Sequence, residues 1–411
     1  MGNCQKTSDY FKNMDLTTIN CYDIQFTRYL YEKDEVKLTL ITSILNKKED
    51  SVFWAYELYY SGFITELVEL LMNIYYDFYA SLNQSFESYL YKKIKILSDS
   101  TSEHGELLSV IVNNFMIRPH TVDVFFMRKM SKELSFVMLF VKNYHKTFDF
   151  KIVKTELTQL LEIEDYLSIA RLIFYDIYTD HLPNILEVFV DHFIEKGLTL
   201  KKKRILQDYF EKTNVEFSII KSMLFSRLIH FASLLKNVKM GKNLYVHIES
   251  EDVVMYETIE ADLHEKGNGN KSAILPAYRI LSIATLYAID EDNYLSLFQL
   301  KRESLDIVEA YQNHWLYHAS FSPLWKQRIK LFHGVINNKK KTVDFKNDDD
   351  IEYFYELYGL EPDEQTTEIQ NKILSPIVKK RSWFEFYLQH KNRGIIDIDN
   401  HYFDNIEKMK Y

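Results

Sequence analysis

The stretch from 51 to 79, SVFWAYELYYSGFITELVELLMNIYYDFY, constrains this chain more than any other. Ten of its 29 residues are Phe, Trp or Tyr, against 15% of the whole protein, so a solvent-facing helix here would expose a large apolar surface. The spacing predicts a helix up to Tyr60, a break at Ser61-Gly62, and a second helix carrying Leu67, Leu70, Leu71, Ile74 and Phe78. The first helix has almost no polar face, and a helix apolar all round must be covered on more than one side. The two helices are therefore expected as a hairpin buried inside a larger helical body.

The same periodicity runs through the first half of the chain. Leu38, Leu40, Ile41 and Leu45 mark a helix that stops in the polar run Asn46–Asp50. Phe86, Tyr89, Ile94 and Leu97 mark another, with Asn83 and Ser85 as start signals. Further helices are expected at 104–117, 120–130, 132–144, 153–162, 164–179, 182–196, 199–212 and 214–237. Short connections make sequential helices antiparallel neighbours, so 23–240 reads as a helical array or an irregular α-solenoid. No repeat of fixed period marks it as a named repeat class. The texture changes near 240. Residues 244–248, LYVHI, alternate like a strand; GNGNK at 267–271 reads as a loop and 273–289 as a helix. GVINNKKKTVDF at 334–345 reads as a β-hairpin. The fold class is thus mostly α: a short N-terminal segment (1–22), the array, and a mainly helical part (241–411) with a small hairpin.

Composition narrows the class further. Only 10 Gly and 6 Pro in 411 residues argue against turn-rich β folds. Thirty Tyr, 28 Phe, 39 Lys against 11 Arg, and only 11 Ala match an AT-rich genome, which accounts for part of the aromatic excess. The net charge of −9 disfavours a nucleic-acid binder, whose affinity comes largely from neutralised phosphates. Two cysteines, Cys4 and Cys21, form no disulfide framework and fit a reducing compartment. No secretory h-region and no run of about 18 apolar residues is present, so no transmembrane helix is expected.

Few segments carry recognisable chemistry. His314 and His318 in HWLYH share a helix face at a metal-ligand spacing, but Trp315 stands where a hydrolytic zinc helix carries Glu. They are weak metal candidates, and packing among aromatics is the simpler role. KGNGNKS at 266–272 has Glu265 where a phosphate-binding loop begins with Gly, so it is not such a loop. The basic clusters Lys201, Lys202, Lys203, Arg204 and Lys379, Lys380, Arg381 are candidate patches for nucleic acid or an acidic partner. Lys339–Lys341 adds charge at the hairpin tip, offset by Asp348–Asp350. Gly2 and Cys4 fit dual acylation, although Lys6 replaces the usual Ser or Thr. No catalytic residue and no cofactor motif is identified.

SVFWAYELYYSGF (51–63), continuing to NIYYDFYASLN (73–83), and HWLYHASFSPLWKQRI (314–329), continuing to FYELYGLEPDEQ (354–365), resemble stretches of uncharacterised proteins of nucleocytoplasmic large DNA viruses, the giant-virus lineage. The resemblance implies a virus-encoded protein of the infected cytoplasm or the particle; it carries no active-site residue. The leading expectation is a non-enzymatic helical binding or scaffold protein acting on a viral or host protein. Its anchors would be drawn from Trp54, Tyr59, Tyr60, Trp315 and Trp325, since aromatics are enriched at interface hot spots. The alternatives are a helical adaptor in viral transcription or translation contacting RNA, and a metal-dependent enzyme using His314 and His318.

Overall fold

The computed structural model describes residues 25–98, 105–137, 150–177, 179–212, 217–256, 313–358 and 394–396. It is mostly helical, with one small antiparallel sheet, as expected from the periodicity. The chain forms two compact units, each assembled from separated stretches. The first takes its described residues from 25–70, 92–117 and 245–358; the second from 71–91, 118–244 and 394–396.

In the first unit, α1 (Lys33–Leu45) is buried on nearly every side from Val36 onward. Its hydroxyls are satisfied locally: Thr42 Oγ1 donates to the Leu38 carbonyl at 3.0 Å and Ser43 Oγ to the Thr39 carbonyl at 2.5 Å. Two residues past its end, Lys47 takes a left-handed φ of +56° and stops the helix. It packs on α2 (Ser51–Tyr60), and both pack on α5 (Gly105–Met116). All of α2 from Ser51 to Leu58 is buried. Gly62, at φ +86°, then breaks the helix before α3 (Ile64–Ile74). This is the helix–break–helix expected at 51–79.

The rest of this unit forms a second cluster. α12 (Trp315–Ala319), α13 (Pro323–Leu331) and α14 (Asp348–Tyr358) gather Trp315, Trp325, Ile329, Phe354 and Tyr358 around Phe26 and Leu30. Pro323 at the first turn of α13 costs no hydrogen bond. The expected hairpin is present as β1 (Val335–Asn337) and β2 (Thr342–Asp344), pairing Val335 with Asp344 and Asn337 with Thr342. Asn347 Oδ1 accepts the Asp350 amide at 2.8 Å, so the acidic run forms the first turn of α14, where its charge suits the helix dipole.

The second unit holds α6 (Asp123–Val137), α7 (Phe150–Glu162), α8 (Tyr166–Arg171), α9 (Leu182–Glu195), α10 (Lys202–Lys212) and α11 (Phe217–Leu235). Two π-helical turns interrupt the ladder, Tyr75–Tyr79 after α3 and Leu172–Asp176 after α8. The first puts Asp77 in the core, where Arg128 pairs with its carboxylate and Ser222 Oγ donates to it at 3.2 Å. Glu87, at the start of α4 (Glu87–Leu97), is held by Arg227 at 2.5 Å and by the Tyr76 hydroxyl at 2.9 Å.

Three local expectations are corrected. The helices expected at 120–130 and 132–144 are one continuous helix through Val137, because Lys129–Ser131 supply no breaker. Asn83 does not cap a helix with its side chain; its Nδ2 donates to the Tyr79 and Pro119 carbonyls at 2.8 and 2.9 Å. LYVHI is not a strand. Asn114 takes both backbone groups of Val246, its Nδ2 donating to the carbonyl and its Oδ1 accepting the amide, each at 3.1 Å. The side-chain amide thus takes bonds that a neighbouring strand would otherwise make. The loop at 267–271 and the helix at 273–289 lie outside the described residues.

Candidate functional site: a cationic recess in the first unit

The site is built on a turn at the edge of the described chain. Phe26 bridges to Glu32, and Leu30 holds a left-handed φ of +61° to close the turn between them. Such a conformation in a leucine persists only where its surroundings over-determine it. Here they do. The Arg28 amide donates to Ser61 Oγ at 2.7 Å, the Tyr29 amide to Glu57 Oε1 at 3.0 Å, and the indole N–H of Trp325 to the Thr27 carbonyl at 2.8 Å.

The turn carries a buried ion pair. Arg28 Nε lies 2.8 Å from Glu57 Oε2, and both side chains are essentially excluded from solvent. Arg28 Nη1 donates to the Tyr256 carbonyl at 2.6 Å, and the guanidinium lies over the Tyr29 and Tyr60 rings. Both carboxylate oxygens of Glu57 are thereby used, one by the guanidinium and one by the Tyr29 amide. In a dry interior such a pair holds only when its remaining polar atoms are satisfied.

A second guanidinium lies beside it. Arg328 follows Trp325 by three residues on α13, so both share a face. It is 5% exposed and sits 4.7 Å over the Trp325 ring and 4.6 Å over Tyr358. Next to it opens a surface recess of about 680 Å³. Its described lining comes from Tyr60 at the end of α2, from Leu324, Gln327, Arg328, Lys330 and Leu331 of α13, and from Tyr358 of α14. That lining contains two cations and two aliphatic side chains. It includes neither a carboxylate nor a Ser, Cys or His nucleophile or base.

The expected anchors divide. Trp54 meets Tyr31 edge-on at 5.1 Å inside the α1–α2 packing, and Trp315 meets Trp325 edge-on at 5.8 Å in the second cluster. All three indoles are at most 7% exposed, so the chain's own core occupies them and they are not partner anchors. Tyr59 and Tyr60 are half-buried, and only Tyr60 reaches the recess.

Of the first basic cluster, Lys201, Lys203 and Arg204 are exposed. Lys202 is paired with Asp191 at 2.6 Å and Glu187 at 2.8 Å, which raise its pKa, so KKKR is not an uninterrupted positive patch. Lys379, Lys380, Arg381, Gly2 and Cys4 lie outside the described residues. His314 and His318 are engaged differently. His314 Nδ1 pairs with the Lys341 carbonyl at 2.9 Å, whereas His318 is buried and its Nδ1 meets no hydrogen-bonding partner. Burial first, then the neighbouring His314 and Lys341, lowers the His318 pKa to about 4. Among the described residues no group of three His, Cys, Asp or Glu side chains could hold a metal ion, and no helix is long and apolar enough to cross a membrane.

Sequence reasoning passed over Arg28, Glu57 and Arg328. Glu57 had a readable signal: it is the one charged residue in a helix buried all round, and a buried carboxylate requires a cation. Nothing local says that the cation is Arg28. Comparison with protein-family models, curated proteins and solved structures returns no significant match.

Proposed function

We propose that the chain is a non-enzymatic helical binding protein of a giant virus, acting through contacts with a viral or host protein in the particle or the cytoplasmic factory. The observation that carries this reading is the makeup of the recess. Its described lining offers cations, hydroxyls and aliphatic surface, which bind, and no nucleophile–base pair, which would react. The buried acids of the second unit support the same view. Asp77 and Glu87 are consumed by Arg128, Ser222, Arg227 and Tyr76, a structural use that leaves neither in a cleft. The viral assignment is supported by the wording of 51–63 and 314–329.

The test is affinity purification of the tagged chain from infected cells, with mass spectrometry of what accompanies it. A stoichiometric protein partner is expected: capsid components place the protein in the particle, and factory components place it there. Recovery of the chain alone under gentle conditions, or of bound RNA without protein, overturns the reading.

A further inference from the structure

Independently of the binding-protein reading, we propose that Gly394–Ile396 is a detachable strap on the second unit, latched by the Asp123 carboxylate through two backbone amides.

The latch is a small anion seat turned inward. Ile395 and Ile396 form a bend, and a bend lets successive amides converge on one anion. Here that anion is a side chain at the start of α6. The Ile395 amide donates to Asp123 Oδ1 and Oδ2 at 3.1 and 2.9 Å, and the Ile396 amide to Oδ1 at 3.3 Å. Thr121 Oγ1 donates to Oδ2, so both carboxylate oxygens are used. Lys236, just past α11, donates to the Ile395 carbonyl at 3.3 Å, and Glu164 Oε2 lies 3.7 Å from its ammonium. Asp123 is 4% exposed and Ile396 3%, so these bonds are made away from water, where bonds to a charged acceptor are strongest.

The way Asp123 is satisfied makes the strap detachable. Asp77 and Glu87, the other buried acids described for this unit, are each closed by an arginine. Asp123 has no ion-pair partner among the described residues; Lys236, whose charge reaches it, gives its hydrogen bond to the strap instead. Burial raises the Asp123 carboxyl above its ordinary range, and Thr121, the two amides and the Lys236 charge offset this only in part. Closure therefore holds the carboxylate out of water at a cost that opening relieves. Against that cost the strap contributes two amides, one carbonyl and one buried isoleucine. So small a set of contacts opens locally, without the unit unfolding.

Native-state hydrogen exchange of the full chain, read residue by residue by mass spectrometry in water and in urea below the unfolding transition, tests this. The Ile395 and Ile396 amides are expected to be protected, yet to exchange faster than the amide of Leu228, fully buried in α11, and with little dependence on urea. Asp123→Asn keeps the side chain's shape but turns a donor toward amides that need an acceptor. It is expected to speed exchange at 395 and 396 about tenfold or more while Leu228 keeps its rate. Lys236→Met, a change at an exposed side chain, is expected to speed the same two amides by a smaller factor. Strap amides that are unprotected in the natural chain, that exchange as slowly and with as much urea dependence as Leu228, or that keep their rate in Asp123→Asn overturn the proposal. Where Asp123→Asn speeds Leu228 equally, Lys236→Met decides: strap amides speeding alone support the latch, and any other result overturns it.

Discussion

Glu57 shows how much one side chain decides here. A carboxylate at 0% exposure is tolerable because Arg28 and the Tyr29 amide take its oxygens. Replacing Glu57 by Gln leaves the guanidinium buried without its counter-charge, which typically costs about 3–5 kcal/mol. Urea denaturation is expected to show a loss of that order. The same exchange at Glu162, half-exposed against Lys196, is expected to leave the denaturation midpoint almost unchanged, because solvent screens that pair. A Glu57→Gln loss as small as the surface one would show the pair to be dispensable. Two buried histidines contribute to the pH response. Burial lowers His230 and His318 to about 4, in His230 against the opposing pull of a bond to the Ser81 carbonyl. The unfolded chain takes up these protons near pH 6.5 and the folded chain only near 4, so their contribution is present above about 6.5 and is lost as pH falls towards 4. For His230 alone the loss is on the order of 3 kcal/mol. Urea midpoints measured from pH 7 to 4 are expected to fall less steeply in His230→Asn than in the natural chain.

At the scale of elements, turn chemistry was more legible than pairing. The Gly62 break was readable because only glycine enters the left-handed region without strain. What was not readable is that a Cβ there would come within 2.7 Å of Pro323 Cβ, from a helix about 260 residues further along the chain. Gly197 has φ +102° with open space around it. Gly197→Ala is therefore expected to lose about 1 kcal/mol from backbone strain alone, and Gly62→Ala distinctly more, from strain and clash together. Thermal melts of the two variants check the order, and equal losses would show that the Pro323 contact yields freely. The two strand readings, LYVHI and the hairpin, differ for a comparable reason. The hairpin carries its partner across a four-residue turn and an Asn337 side chain that bonds that turn. LYVHI has no partner strand among the described residues, and the backbone bonds of its Val246 go to Asn114, more than a hundred residues distant. Period-2 alternation reports which faces are apolar, not whether a partner strand exists.

At the scale of the whole molecule, the first unit is completed late. Phe26 and Leu30 are buried by Trp315, Trp325, Phe354 and Tyr358, nearly 300 residues further on. A chain ending at residue 240 keeps α1, α2 and α5 but loses that cover. It is expected to bind hydrophobic dyes and to be cut by trypsin after Arg28 far faster than the full chain; comparable resistance at Arg28 would show that the late segments are not needed. Sequence alone determined the helical class, the hairpin at 334–345 and the burial of 51–58, because periodicity, turn residues and an all-round apolar face are local properties. Tertiary structure alone decided which indoles the core occupies, that Glu57 meets Arg28, and that Arg328 and Lys330 share a recess with two leucines. Those are choices of partner between distant segments, and the physical terms that settle them, burial and charge pairing, leave no spacing in the sequence to read.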